Sequence, residues 1–346
     1  MIEIDGKIGG GQVLRAALAL SAATGKPFHM TAIRAMRTKP GLMRQHLLCA
    51  RACAELCGAE IRGDEIGSSE LFFEPGETKP RDALLEIGSG GSTALVLQAV
   101  MPAAARSLKA GESVRIRVTG GTYCLGAPSP EFLVRSLEPA LRAMGYRVSF
   151  RHAKPGFWMT AGGELEMTAE GPFEPRAFES LEPAETSRVR GRVLANGLAP
   201  AIPEREITAL GRALARLPEG IEVDVPDAPE PVRSAGPGSA VIVEAETSRG
   251  TAVFTSLARF GASAERVAEQ AAKEAASHIE SGAPVERRLA DQLLVPMTLA
   301  AGGAFLCTTP TAHMRSCAEV IRLFTGKALS FARDGKLWRA DVPAAE

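Results

Sequence analysis

Leu84-Leu85-Glu86-Ile87-Gly88-Ser89-Gly90-Gly91-Ser92-Thr93 passes from an apolar strand pattern, through a glycine-rich turn, into a helical pattern over residues 92–106. A strictly alternating strand follows at 113–119, then a helix at 130–144 and strands at 147–150 and 165–168. Periods of 2 and 3.6 in this succession spell strand, helix, strand, helix, strand, strand. The same order precedes it, with segments at 1–5, 12–23, 28–33, 42–57 closed by Gly58, 60–62 and 71–74. The two copies stand roughly 80 residues apart, which points to internal duplication.

A third copy starts near Phe178 and finishes with a helix at 291–301, a strand at 305–308, a helix at 312–324 and strands at 329–332 and 337–340. It is interrupted. Residues 184–284 carry their own strands at 188–194, 221–225, 240–246 and 251–257, and helices at 204–217 and 264–279. Insertion of a small domain is tolerated where its two ends lie close together. The expected fold is therefore α/β (α+β), with three βαβαββ repeats forming one large domain over 1–183 and 285–346. A small αβ domain at 184–284 is inserted in the third repeat.

A chain of 346 residues, 45% hydrophobic, is long enough to bury a large core without disulfide staples. No apolar run reaches membrane-spanning length, and Met1-Ile2-Glu3-Ile4-Asp5 lacks the basic and apolar regions of a signal peptide, so no membrane is expected and the cytoplasm is the expected location. Cys49, Cys53 and Cys57 recur every fourth residue. Eight residues rise about 12 Å along a helix, too far for Cys49 and Cys57 to share one zinc at about 2.3 Å, so a buried stripe of small residues is expected. No residue is singled out as a metal ligand.

The formal net charge is zero, so no global field advertises nucleic acid. The distribution says more. Between Asp5 and Glu55 there is no acidic residue but eight basic ones, Lys7, Arg15, Lys26, Arg34, Arg37, Lys39, Arg44 and Arg51. An unopposed segment of this length suggests a local site for phosphates or other polyanions. Gly9-Gly10-Gly11-Gln12 and Gly88-Ser89-Gly90-Gly91 each lead into a helix, where backbone N–H groups and the positive helix end can approach an anion. A tight strand-to-helix turn accounts for either loop equally well. Arg15 lies one helical turn beyond the first loop, while Arg37, Lys39 and Arg44 bracket Pro40-Gly41, and their side chains could share a phosphate ligand with that loop. Gln98 follows the second loop on its helix, either as a ligand contact or as a surface or capping amide.

His313, in Thr309-Pro310-Thr311-Ala312-His313-Met314-Arg315-Ser316, stands at a loop-to-helix junction. An imidazole there can offer a ring nitrogen as nucleophile or general base near pH 7, or it can simply cap or pack.

These segments carry a resemblance. The chain resembles the RNA 3′-terminal phosphate cyclases over nearly its whole length, through Asp5-Gly6, Gly9-Gly10-Gly11-Gln12-Val13-Leu14-Arg15, Lys39-Pro40-Gly41-Leu42-Met43-Arg44-Gln45-His46, Gly88-Ser89-Gly90-Gly91-Ser92, Gly120-Gly121-Thr122, Leu289-Ala290-Asp291-Gln292-Leu293 and His313. The resemblance implies an ATP-dependent enzyme of the ligase class that converts an RNA 3′-phosphate end to a 2′,3′-cyclic phosphate through a covalent histidine-AMP intermediate, assisted by Mg²⁺ or Mn²⁺. It makes His313 the nucleophile and assigns Gln98, Arg288, Leu289, Ala290, Asp291 and Gln292 to the nucleotide. Gln12, Arg15, Arg37 and Arg44 fall to phosphate or RNA.

The chain departs from the family pattern at Lys7-Ile8, where a glutamate is usual, at Arg288 in place of a tyrosine, at Tyr123-Cys124-Leu125 in place of Asp-Asn-Pro, and at Ser316-Cys317 in place of Thr-Asn. Those departures favour an alternative, a noncatalytic cyclase-like factor of RNA processing or ribosome assembly, whereas retention of His313 favours the enzyme. The enolpyruvyl transferases share the repeated unit, but the histidine motif has no place in their chemistry.

Overall fold

The structure, a computed structural model, describes residues 1–157 and 160–345. Four sheets and the helices packed on them make up a mixed α/β fold. The first sheet holds β1 (Ile2–Asp5), β2 (Phe28–Thr31), β3 (Glu60–Arg62) and β4 (Leu71–Glu74) in the order β1-β2-β4-β3, with β1 and β2 parallel and the other pairs antiparallel. The second holds β5 (Ala83–Glu86), β6 (Ser113–Gly120), β7 (Arg147–Lys154) and β8 (Gly163–Glu170) in the order β5-β6-β8-β7, with one parallel pair in the same place.

Strand β9 (Phe178–Ser180) opens a third sheet that the chain completes only after a long excursion. That excursion builds a five-stranded sheet from β10 (Thr186–Asn196), β11 (Glu222–Asp224), β12 (Glu230–Pro231), β13 (Gly238–Thr247) and β14 (Gly250–Leu257). Its exit and return meet, because Ala184 N–H donates to the Gly282 carbonyl at 2.9 Å. Strands β15 (Gly303–Cys307), β16 (Ser330–Asp334) and β17 (Leu337–Val342) then complete the order β16-β17-β15-β9, again with one parallel pair.

The helices are α1 (Gly11–Thr24), α2 (Arg44–Cys57), α3 (Thr93–Ser107), α4 (Pro130–Phe132), α5 (Glu138–Ala143), α6 (Ala201–Leu214), α7 (Ala264–Ser281), α8 (Arg287–Leu299) and α9 (Ala312–Thr325). A single π turn at Leu133–Leu137 joins α4 to α5, so the helix expected over 130–144 is continuous but underwound once. Helix α1 is apolar on nearly every side, burying Val13, Leu14 and all of residues 16–22, as suits a helix with neighbours all round. Those neighbours are α2, α3, α8 and α9, and the arrangement sets the glycine loop before α1 beside the start of α9.

Helices α6 and α7 bury a separate apolar cluster against the five-stranded sheet, including Val189, Leu210, Val243, Phe254 and Ala271. The cysteine stripe is buried as expected. Cys49 and Cys53 point their Sγ atoms at the Leu95 and Ala99 carbonyls of α3, and burial pushes the thiols up, to about 12 for Cys49 and about 11 for Cys57.

Two differences from the sequence reading bear on the site. Strand β2 stops at Thr31 rather than residue 33, because Ala32 and Arg34 take positive φ of 50° and 53° and turn the chain away. The loop so formed carries Arg34 and Arg37 and folds back through Gly41, whose φ is 76° and where a Cβ would sit 2.2 Å from the Gly67 carbonyl oxygen. Helix α8 starts at Arg287, four residues earlier than expected, because Glu286 caps it by accepting from the Arg288 and Leu289 N–H groups at 2.7 and 2.5 Å.

Candidate active site

His313 is the second residue of α9, and its place follows from the cap of that helix. Thr311 accepts from the Met314 N–H at 3.0 Å through Oγ1 and donates the hydroxyl hydrogen to Asp291 Oδ1. One threonine thus fixes the start of α9 against the inward face of α8. The imidazole is 51% exposed and sets Nδ1 3.8 Å from Asp291 Oδ2. That is ion-pair range rather than a formed hydrogen bond, and catalytic contacts are often long before substrate arrives. A carboxylate at Nδ1 selects the tautomer with hydrogen there and leaves the Nε2 lone pair free. Burial pushes the Asp291 carboxyl up, opposed by the Thr311 hydrogen bond and by the nearby His313, Arg287 and Arg288.

In front of the imidazole lies a cavity of about 690 Å³, within the range that holds small-molecule ligands. Arg288, Asp291 and Gln292 line it, as do Gln12 and Arg15. Leu289 and Ala290 do not, since the helical period turns their side chains into the core, where they are 8% and 0% exposed. Arg288 donates from Nη1 to the Ala127 carbonyl at 2.8 Å, which lays the guanidinium along the cavity beside Pro128. Gln98 lies behind this wall. It lines a second hollow of about 40 Å³ shared with Gln12, Arg15, Asp291 and Gln292, and neither amide atom has a partner among the described residues.

The glycine loop before α1 meets the site from the other side. Gln12 Nε2 donates to the Asp291 carbonyl at 3.3 Å, and Arg15 Nη2 donates to Gln12 Oε1 at 3.5 Å, tying α1 to α8. Arg15 is half-buried, which pulls its pKa down, and it has no carboxylate partner among the described residues. A desolvated cation without a counter-charge is a ready anion site. A Cβ on Gly10 would meet Arg37 Nη2 at 2.8 Å, and one on Gly9 would meet the Ser316 Oγ at 3.2 Å, so Arg37 and the first turn of α9 both touch this loop.

Sequence reasoning missed His46, which was quoted only as part of a motif. A Cβ on Gly11 would stand 2.5 Å from its Nε2. The Met43 N–H donates to His46 Nδ1 at 3.3 Å, which puts the ring hydrogen on Nε2, facing the loop. Burial, with Arg34 and Arg15 nearby, pulls the His46 pKa down to about 3, so the ring is a neutral donor at physiological pH. Its fixed place three residues into a helix cap was the one available signal.

Arg44 and the second loop are arranged differently. Arg44 Nη1 donates to the Gly88 carbonyl at 2.7 Å, and Gln45 Oε1 accepts from the Ser92 N–H at 2.8 Å. The departures from the family pattern also find structural places. Tyr123 is buried, stacks on Phe157 and donates to Glu131 Oε1 at 2.7 Å, while Ile8 is 40% exposed at the end of a short 3-10 turn.

A family model described as "RNA 3'-terminal phosphate cyclase" matches residues 7–331. The chain is similar to proteins of that name from Ectopseudomonas mendocina, at 39% identity over 93% of this chain and 92% of the relative, and from Koribacter versatilis, at 38% over 94% and 90%. A third, from Salmonella agona, is 38% identical over 94% of this chain and 92% of its own.

Proposed function

The chain belongs to the RNA 3′-terminal phosphate cyclase family, and on that premise we propose that it is an ATP-dependent cyclase of RNA 3′-phosphate ends that works through adenylated His313. The observation that carries this reading is a half-exposed imidazole, backed at Nδ1 by a carboxylate that is 12% exposed, facing a cavity that also receives an arginine with no carboxylate partner among the described residues. The noncatalytic alternative gives that exposed ring no task.

In the first step His313 Nε2 attacks the α-phosphorus of ATP. A nitrogen–phosphorus bond forms, the bond to the bridging oxygen breaks and pyrophosphate leaves. Asp291 holds the proton on Nδ1 throughout and offsets the positive charge that develops on the ring. In the second step an oxygen of the RNA 3′-phosphate attacks the same phosphorus, and His313 departs neutral with its proton still on Nδ1. The RNA end now carries AMP as a good leaving group. In the third step the adjacent 2′-hydroxyl attacks the RNA phosphorus, its proton passes to solvent, and AMP is released from the 2′,3′-cyclic phosphate.

Arg288, Asp291 and Gln292 are assigned to the nucleotide wall, with Gln98 supporting them from behind and Leu289 and Ala290 seating the helix. Gln12, Arg15 and Arg37 are assigned to phosphates, and Arg44 to the approach between the two glycine loops. The first two displacements occur at one phosphorus, with the same nitrogen entering in the first and leaving in the second, so positioning and charge supply most of the catalysis. Mg²⁺ or Mn²⁺ was expected. Among the described residues no group of three or more His, Cys, Asp or Glu side chains converges as a metal site, and Asp291 is engaged by Thr311. The residues present do not fit a resident ion, and no step here runs through one.

We also assign residues 1–183 and 285–346 to one body built of three repeats, and 184–284 to a smaller inserted one. The three sheets of like order, the separate apolar cluster and the meeting of Ala184 with Gly282 support this division. No helix of the described residues is long and apolar enough to cross a membrane, and the cytoplasm is the proposed setting.

The test uses ATP labelled at its α-phosphate. The protein is expected to take up an acid-labile, alkali-stable label that is lost entirely in His313→Ala, because a nitrogen–phosphorus bond to imidazole has that stability. A wild-type protein that takes no label from any nucleotide would end the proposal.

A further inference from the structure

The far wall of the cavity comes from the five-stranded-sheet region, through α7. The apolar face of that helix, Val267, Ala268, Ala271, Ala272 and Ala275, is buried against the sheet, which fixes its rotation. Gln270, Lys273, Glu274 and Ser277 then all line the same cavity as His313. They are spaced i, i+3, i+4 and i+7, so they form one continuous stripe facing α8 and α9.

Two properties of this stripe point to a ligand. Lys273 is exposed to the cavity and makes no ion pair or hydrogen bond among the described residues. Glu274 does not neutralise it, since neighbouring positions on a helix do not face each other, and it instead accepts from Gln270 Nε2 at 2.5 Å. A free ammonium beside a held carboxylate matches the two groups that alternate along an RNA strand, a phosphate and a 2′-hydroxyl. The rings on this wall, Phe254 and His278, are buried and packed on each other with centroids 5.5 Å apart, so it offers little for base stacking.

We propose that this face of α7 grips the RNA strand upstream of its terminal phosphate, with Lys273 on a backbone phosphate and Glu274 accepting a hydrogen bond from a 2′-hydroxyl. The proposal deepens the cyclase reading and rests on it. A nucleotide bound along Arg288, Asp291 and Gln292 occupies the near wall, and the RNA end must reach the adenylate on His313 while the rest of its strand runs out of the cavity. Helix α7 is the surface that this strand meets. The grip reads ribose and phosphate rather than bases, which suits an enzyme acting on ends of varied sequence.

The test measures binding of the full-length protein to a labelled oligoribonucleotide ending in a 3′-phosphate, without ATP, so it does not depend on chemistry at His313. Lys273→Ala is expected to weaken binding about tenfold and to lower the salt-dependence slope by about 1, with Lys273→Arg restoring both. Glu274→Ala is expected to abolish the preference for all-ribose RNA over a strand that is deoxyribose except at its last nucleotide. Covalent label on His313 is retained in both. Unchanged RNA binding by Lys273→Ala overturns the proposal, and so does loss of label in that variant, which would place Lys273 on ATP. Absence of label in the wild type, with RNA binding still dependent on α7, overturns the cyclase reading and leaves this surface standing.

Discussion

The two glycine loops look alike in sequence, yet the side chains around them are engaged differently. Gly9-Gly10-Gly11 is bordered by Arg15, Arg37, His46 Nε2 and Ser316, from four segments; Ser316 Oγ donates to the His313 carbonyl and Arg15 to Gln12 Oε1, while the Arg37 side chain has no partner among the described residues. Gly88-Ser89-Gly90-Gly91 is filled from within the protein. Arg44 donates to the Gly88 carbonyl, Gln45 accepts from the Ser92 N–H, and the Gly121 N–H donates to the Gly91 carbonyl at 2.8 Å. A strand-to-helix glycine turn becomes an anion site only where the surrounding fold leaves its donors unpaired and supplies cations. At the second loop the Arg44 guanidinium is turned onto the Gly88 carbonyl, and Gln45 takes the Ser92 N–H at the start of α3.

One pair of substitutions separates these roles most sharply. Gly11 is the first residue of α1, and its Cβ would meet only side-chain ends, His46 Nε2 at 2.5 Å and Arg15 Nη1 at 3.3 Å, which can give way at little cost to the fold. Gly11→Ala is expected to keep its melting temperature while cyclisation falls about a hundredfold, the scale of a 1 Å misplacement. Gly91→Ala should do the reverse. Its Cβ would meet Ile87 Cγ2 at 2.9 Å and Gln45 Cβ at 3.2 Å, an overpacking cost of about 1–3 kcal/mol. Its melting temperature falls by several degrees while activity per folded molecule stays near the wild-type value, as calorimetry alongside a cyclisation assay would show. Identical behaviour in both variants would erase the distinction.

Arginines beside the loops divide the same way. Arg37 has no side-chain hydrogen bond or ion pair among the described residues and lies against Gly10. Arg37→Ala is expected to raise KM for an RNA 3′-phosphate about tenfold, since a hydrogen bond to a charged group contributes about 1.5–3 kcal/mol. Arg44 is exposed and holds the Gly88 carbonyl, so Arg44→Ala should cost about 0.5–1.5 kcal/mol of stability and change KM by less than threefold. A larger KM effect at Arg44 than at Arg37 would move the phosphate site toward the second loop.

Most elements were legible because their periodicity and their caps agree. Gly58 closes α2 in the left-handed conformation, as its position suggested, and Ser92, read as the first helical residue, is instead the cap of α3, accepting from the Leu95 N–H at 3.3 Å. Strand β12, only Glu230–Pro231, is too short to carry a period. The site was legible in part. Asp291 and Gln292 lie on one segment and His313 on another, joined only by the family resemblance, and placing the helix start at residue 291 hid the rule that sorts the residues of the first. Counted from Arg288, the 3.6-residue period selects 291 and 292 and rejects 289 and 290. The helix began earlier because a buried glutamate, Glu286, serves as its cap, a residue type seldom fully buried. The approach of His46 to the first loop and of Lys273 to the cavity depends on the packing of distant segments, which local pattern alone does not encode.

His46 gives the smallest effect and the finest test of the first loop's neutrality. Its folded pKa of about 3 lies below the ordinary value of 6.5, so between these values the unfolded chain binds more protons than the native one. Stability therefore rises with pH through this window, is complete above about 6.5, and is lost as the pH falls toward 3. Within the same window His152 and His278, both pulled down to about 4 by burial, act in the same sense and remain as background. His46→Gln can keep an amide donor toward Gly11 and has no titration, so the drop in urea midpoint between pH 7 and pH 4 should be smaller than in the wild type. Because the ring is neutral from pH 5 upward, RNA affinity should show no step near 6.5 attributable to His46. A step that disappears in His46→Gln would mean the ring binds phosphate as a cation, and the first loop would then be a charge site rather than a set of neutral donors framed by arginines.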